Sequence, residues 1–528
     1  MYTLHLYILF VNLMVPYKKI KENVKKNMHF SIMDGVFWVL MNTIAITFLA
    51  PYIIELGANP LQVGLLSSLP IFISAFTVLL SYKILKYFRS KKAPVILSVT
   101  IQAALWIPIA LTHVLFKENL AIWFAIIIYI LIYTCGIIIY PIYTDWFRRL
   151  LPISIMGNFF ARKHIIIETI SIFVILGIGY FLDFINSNET LIGFSIIFLF
   201  AGVARFISSR YLNKIDVTED RESILRETSE VRTSILKRFN NDVINNRIFL
   251  NYLIFIVLFY FGFYIGTVYW PYFLLKVLNY SYSGYIWWKV ALVSGTILSL
   301  SYWGYISDNY GVIKIIKTTS FFMPLLVIIP AIFYYSNFII IFLSFLSGVV
   351  LGGFNLAINN YLYKNIKKDV IHYTSYFIII QSTAILLGTL FGALVIKLAQ
   401  NHFNNDLYAL LAVFIVSGIF RFIAYLYSNN LKDKDKGLLN LYRSIVLQKP
   451  VYFGLKKITY FVSGKVKILT PKFKENSIKI TEFRKNKTKE LFNSIKKEKT
   501  SLLNLKSKIT REEKRMIAKF NKNKKDRL

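Results

Sequence analysis

Cysteine is almost absent from this chain, and acidic residues are few. The single cysteine, Cys135, excludes an internal disulfide framework and any metal cluster held by cysteines. Only 27 Asp and Glu stand against 62 Lys and Arg, which leaves a net charge of +35. Charged residues make up 17% of the chain and hydrophobic ones 56%. That is too little charge for an ordinary soluble enzyme and too much apolar residue for a disordered chain. Sequence motifs are missing as well. No G-x-x-x-x-G-K-(S/T) phosphate loop occurs, so nothing supports transport driven directly by ATP. No H-E-x-x-H stretch or Cys/His ligand set points to zinc, and no paired catalytic carboxylates stand out. The expectation is a protein without cofactor or metal that is not an enzyme. Any active work it does must draw on a gradient.

Long apolar runs are abundant. A bilayer core of about 30 Å needs about 20 apolar helical residues. Twelve such runs are predicted, at 30–54, 61–82, 94–116, 120–143, 164–184, 190–208, 248–275, 285–303, 315–335, 337–363, 371–399 and 407–428. Stretches such as 126–133 and 338–346 are apolar all round, so lipid is the simpler solvent for them. The connections test the count, because Lys and Arg gather on cytoplasmic loops. Up to residue 428, alternate connections carry 27 basic residues on one side and 3 on the other. Both termini are therefore expected in the cytoplasm, with the chain crossing the plasma membrane many times. The first residues form a short apolar segment, read as interfacial, and Met1, Met14 and Met28 are alternative starts.

The spans fall into two equal sets. The expected organisation is an N-terminal segment (1–28), a six-helix bundle (29–208), a charged linker (209–247), a second six-helix bundle (248–428) and a basic tail (429–528). Equal halves suggest an internal duplication. Leu56-Gly57-Ala58-Asn59-Pro60 opens span 2, and Leu278-Asn279-Tyr280-Ser281 opens span 8 at nearly the same offset. Between spans 8 and 9 the chain reads Gly304-Tyr305-Ile306-Ser307-Asp308-Asn309-Tyr310-Gly311-Val312-Ile313-Lys314. This stretch resembles the signature loop of the major facilitator superfamily, G-x-x-x-D-(R/K)-x-G-x-(R/K)-(R/K). Gly304, Asp308, Gly311 and Lys314 match; Asn309 and Ile315 depart from it. The copy between spans 2 and 3 is degenerate, with Ser81 and Leu85 in the glycine and aspartate positions. Asp34-Gly35, Asp145-Trp146 and Gly353-Phe354-Asn355-Leu356 also resemble a prokaryotic subset of that family.

The resemblance implies an all-α membrane fold of twelve helices in two pseudo-symmetric bundles. It implies a monomeric secondary transporter that moves a small solute by alternating access, with the proton as default coupling ion. It further implies that the 8–9 loop latches the halves in the outward-open state. Asp308 would then face the start of span 5 and Lys364 at the end of span 10. The alternative for Asp308 is a capped turn with no switching role.

Charged groups inside spans are functional candidates by default. Asp34 and Glu168 could carry a proton, or could pair with Arg148, Arg149 or Arg162. Arg205 and Arg421, at equivalent places in the two halves, read as interfacial anchors. Lys289 could bind an anionic substrate, neutralise an acid or reach toward the surface. Asn42, Tyr264, Tyr269, Asn355, Asn359 and Gln381 are candidate cavity residues. Asn355 and Asn359 lie four apart and so share a helix face.

The tail, 429–528, carries 29 Lys and Arg against 9 Asp and Glu. Its pattern suits a basic amphipathic helix on anionic lipid, or a solvated extension. Nucleic acid is the least favoured partner. A second functional class stays open: a non-transporting membrane scaffold that presents this tail to lipid or a macromolecule.

Overall fold

The structure is a computed structural model, and it describes residues 22–148, 153–185, 189–216, 246–365 and 370–431. These all lie within the first of two units into which the chain divides, Met1–Val446. The expected linker and tail fall almost wholly outside the described residues, as does most of the N-terminal segment.

Twelve helices are long and apolar enough to cross a membrane. In chain order they are α1 (Glu22–Glu55), α2 (Pro60–Thr77), α3 (Lys92–Leu115), α4 (Asn119–Phe147), α5 (Ile153–Phe184) and α6 (Thr190–Lys214). The second set is α7 (Arg247–Val277), α8 (Tyr282–Tyr310), α9 (Val312–Ile332), α10 (Asn337–Asn365), α11 (Val370–Phe403) and α12 (Asp406–Tyr427). No strand occurs among the described residues. Each of the twelve runs expected from hydropathy is matched by one of these helices.

Local chemistry fixes the turns. Asn59 caps α2 in a reciprocal box: its Oδ1 accepts from the Gln62 amide at 3.0 Å, and the Gln62 side chain accepts from the Asn59 amide at 3.0 Å. Pro60 follows at the first helical position, where its missing N–H costs nothing. Ser281 caps α8 by accepting from Gly284 N at 3.1 Å. Gly311, between α8 and α9, sits at φ +85°, a left-handed conformation that suits glycine. The closest helix crossing is α8 against α10. A Cβ on Gly348 would land on the Leu292 carbonyl, and one on Gly295 on the Phe345 carbonyl.

The apolar cores divide unequally along the bundle. At the end where α1 finishes, one core joins both halves, taking in Phe48, Tyr52 and Phe198 of the first with Phe273, Tyr285 and Phe414 of the second. At the end where α1 begins, the cores are separate. Phe255, Phe354 and Tyr361 centre one made of second-half residues alone; Val99, Trp146 and Phe159 centre one made of first-half residues alone.

Candidate functional site

The interior between the two ends holds two cavities. The first measures roughly 430 Å³ and runs along α1 from Asp34 to Ile46. The second measures roughly 500 Å³ and is walled mainly by α7, α8, α9 and α10. Ile46 lines both, so they lie side by side about α1. Both fall within the size range of small-molecule sites.

The first cavity is built on a buried carboxylate. Asp34 is 2% exposed, one of the most buried charged groups among the described residues. Ser208 of α6 donates to its Oδ1 at 2.8 Å, and Tyr143 of α4 donates to its Oδ2 at 3.3 Å. Lys163 of α5 places its ammonium 3.9 Å from Oδ2 and donates to Ser31 at 3.0 Å. Arg205 of α6 donates to Ser208 at 3.0 Å and to Gln102 of α3 at 2.6 Å. Gln102 in turn donates to the Ile132 carbonyl at 2.8 Å. Five helices thus converge on one charge. A buried carboxylate persists only with such partners, since each missing one would leave an uncompensated group.

The second cavity is built on a buried cation. Arg421 of α12 is 4% exposed and, among the described residues, donates only to neutral acceptors. Its Nε reaches Ser417 at 3.2 Å and its Nη1 the Met323 carbonyl at 3.3 Å. Its Nη2 reaches the Phe263 carbonyl at 3.2 Å and Thr267 at 2.8 Å. The guanidinium also lies 4.5 Å from the centroid of the Phe263 ring. Lys289 lines the same cavity from α8, with Tyr260, Tyr264, Asn355 and Gln381 around it.

Beyond the cavities, at the end where α1 finishes, the halves are tied by hydrogen bonds. Asp183 at the end of α5 accepts from the Tyr282 and Ser283 amides, each at 2.9 Å. These are two of the free N–H groups that open α8, and a carboxylate is the ligand best suited to them. Tyr282 donates to Glu55 at 2.8 Å, Tyr285 to the Thr47 carbonyl at 3.1 Å, and Trp287 to the Tyr180 hydroxyl at 3.1 Å. Ile286 packs where Gly179 leaves room for it.

Known proteins share this architecture. Residues 252–463 match the model of the Major Facilitator Superfamily. The nucleoside transporter NupG superposes with a TM-score of 0.56 at 13% identity, over 78% of this chain and 100% of its own. The xylose transporter XylE from E. coli, in an inward open conformation, gives a TM-score of 0.53 at 14% identity, over 80% of this chain and 98% of its own. An inward-facing bacterial homologue of the lysosomal transporter Spinster gives 0.55 at 13% identity, over 78% and 98%. Part of the chain thus matches the superfamily's model, and the twelve-helix fold is one that these transporters share. Its twelve long apolar helices make it a multi-pass membrane protein. No curated protein matches it in sequence.

Set in the superfamily fold, the residues singled out from sequence divide. Asp34 and Asn42 line the first cavity. Tyr264, Lys289, Asn355 and Gln381 line the second. Glu168, Tyr269 and Asn359 line neither. Tyr269 is fully buried and donates to the Thr389 carbonyl at 2.7 Å, joining α7 to α11. Asn359 is exposed and donates one turn back to the Asn355 carbonyl at 3.0 Å. Glu168 sits half-buried on α5. Of the signature loop, Gly304 and Gly311 take their places on α8 and in the turn after it, and the Lys314 ammonium lies 4.8 Å from the Tyr310 ring centroid. The side chains of Asp308 and Lys364, and of Arg148, Arg149 and Arg162, lie outside the described residues.

Arg205 and Arg421 depart from expectation. Their place near span ends suggests interfacial anchors, but both are buried and turned inward to polar partners on other helices. Sequence reasoning also missed Lys163, Gln102 and Ser208. The available signal was Asp34 itself: a carboxylate inside a span demands a cation and donors, and polar residues in neighbouring apolar runs are the only source.

Proposed function

We propose that this chain is a secondary active transporter that moves a small solute by alternating access, and that the structure is its inward-facing state. The observation that carries the reading is the division of the cores. One core welds the halves together where α1 ends, while separate cores let them part where α1 begins. Two bundles joined at one end and split at the other can rock about a central site. We take the split end as cytoplasmic, because the basic residues gather on that side. Both termini are then cytoplasmic, in the plasma membrane.

In this reading the halves are 29–208 and 248–428, joined by the 209–247 linker. The proton is the coupling ion and Asp34 its carrier. Asp34 fits that part because it faces a cavity, and its proton would change the balance with Lys163, Arg205 and Tyr143. Glu168 is the weaker carrier, since it lines neither cavity. The protein acts as a monomer, and the tail from 429 lies on the anionic inner leaflet.

The deciding experiment needs no known substrate. A Ser347→Cys variant in a Cys135→Ser background puts one thiol in the second cavity. A membrane-impermeant maleimide should reach it from the cytoplasmic face of oriented vesicles. With Asp183→Ala added to loosen the closed end, it should also become reachable from the outer face. Labelling from one face only in both proteins would sink alternating access. Simultaneous access from both faces in the first protein would indicate a channel. For coupling, an imposed pH gradient should drive concentrative uptake in liposomes, and Asp34→Asn should abolish the concentration step while leaving exchange. Removing residues 432–528 should leave flux intact; loss of all activity with the tail would favour a scaffold.

A further inference from the structure

The charges that face the interior do not balance. Among the described residues, the second cavity is lined by two cations, Lys289 and Arg421, and by no Asp or Glu. The first contributes Lys163 and Arg205 with a single carboxylate, Asp34. The two cavities together thus present four cations and one anion among their described lining residues. A cation held away from water without a counter-charge is costly, and such groups inside membranes mark ligand or ion pathways.

The two cations of the second cavity are held differently. Arg421 spends its donors on Ser417, Thr267 and two backbone carbonyls. These acceptors fix the guanidinium plane but leave its charge unneutralised. Lys289 has its ammonium 5.8 Å from the Trp288 ring centroid, and none of the ion pairs among the described residues includes it. Its flexible stem leaves it able to meet an incoming group. Around both stand flat aromatic and amide surfaces, Tyr260, Tyr264, Asn355 and Gln381. Such a lining suits an apolar or ring-shaped body and fixes its orientation.

We propose that the second cavity is an anion site, and that the transported solute is a small organic anion, a carboxylate, phosphate or sulfonate on an aromatic or apolar body. Lys289 takes the charged group directly. Arg421 supplies a fixed positive field and acts as a positioning residue. The body rests on Tyr260 and Tyr264, with Asn355 and Gln381 meeting its polar edge. This rests on the transport reading above and adds the substrate class to it.

The test measures the preference of the cavity for charge and does not require turnover. In full-length Cys135→Ser protein, Ser347→Cys places a thiol on α10 one turn beyond Ser344, which donates to the Trp288 carbonyl at 2.8 Å beside Lys289. Its reaction rate is measured with two methanethiosulfonates of similar size, the 2-sulfonatoethyl anion and the 2-trimethylammonioethyl cation. Each rate is divided by that of free 2-mercaptoethanol. The expected result is a normalised anion-to-cation ratio of about tenfold or more, as for a cleft that concentrates one charge. Lys289→Gln should lower that ratio at least threefold. A ratio no greater than that of the free thiol overturns the proposal, and so does a ratio that Lys289→Gln leaves unchanged. If Ser347→Cys is sealed, Asn355→Cys, which is exposed to the cavity, gives the same reading. A non-transporting protein would still show the ratio, whereas failure of alternating access would show in the sidedness of labelling, so the two readings fail separately.

Discussion

Arg205 and Arg421 occupy matching places in the two halves, yet they live in opposite surroundings. Arg205 belongs to a network with its own carboxylate, reached through Ser208 and flanked by Lys163. Arg421 is held as firmly, but by hydroxyls and carbonyls alone. Similar placement along the chain therefore does not bring a similar charge balance. The half with a counter-ion is electrically more self-contained. The half without one leaves its cavity cations without a carboxylate among the described lining residues. The comparison can be broken most severely at the carboxylate. Asp34→Ala strands Lys163 and Arg205, and losing one partner of a buried ionic set costs about 3–5 kcal/mol. The detergent-solubilised protein should melt far lower or fail to fold. The milder Asp34→Asn should make the first cavity resemble the second: a thiol at Asn42→Cys should gain preference for the anionic reagent. No gain there would mean that Asp34 does not set the potential of its cavity.

The halves also differ in how their helices touch. In the second half, Gly348 and Gly295 bring the α8 and α10 backbones into contact, and Gly388 does the same for α11 against the Phe261 carbonyl of α7. In the first half, a Cβ on Gly202 of α6 would meet the Ala103 carbonyl of α3 at 3.1 Å, a tight but tolerable approach. Gly348→Ala should therefore destabilise by about 1–3 kcal/mol or more, the usual cost of overpacking. Gly202→Ala should cost less. Thermal unfolding of the two variants side by side checks the order, and equal shifts would contradict this account of the crossings.

Smaller still is the effect at the seam between the halves. Asp183→Ala removes the acceptor for two amides of α8, and loss of a helix cap costs about 1 kcal/mol. Because Asp183 is exposed, fold stability should barely move. The balance of states should move severalfold toward opening at that end. Distances between spin labels on Lys117 and Lys276, which connect α3 to α4 and end α7, should gain a longer component in the variant. An unchanged distribution would show that the apolar core alone holds the end shut.

Much of this architecture is legible in the sequence because the bilayer imposes a length and a hydropathy that few residues can blur. Each of the twelve spans shows as a long, predominantly apolar run, and the glycine and proline of the 57–60 turn mark its place directly. The interior is less legible because partners there are distant in sequence. Asp34 meets Ser208 and Lys163, and Arg205 meets Gln102, only after five helices pack. Position along a span misled for the arginines: closeness to an end suggested reach toward water, but packing turned both inward. Tyr269 shows the limit for aromatics, since burial and a bond to Thr389 outweigh its place near the cavity wall.

Asn355 and Asn359 put that limit on a fine scale. Four residues apart on α10, they share a face by helical geometry. Yet Asn355 lines the second cavity, while Asn359 lies outside it and spends an amide hydrogen on the Asn355 carbonyl. One turn is 5.4 Å, enough to leave the cavity altogether. If the second cavity is where solute charge and orientation are read, Asn355→Ala should reduce the apparent affinity for transported anions by several-fold, since an unmet polar edge costs about 1–3 kcal/mol. Asn359→Ala should leave uptake within about twofold and stability within about 0.5 kcal/mol, as exposed substitutions do. Uptake kinetics of the pair in liposomes separate the two. Equal losses would mean that the site extends toward the end where α1 begins, and that the asymmetry between the halves is not confined to the cavities.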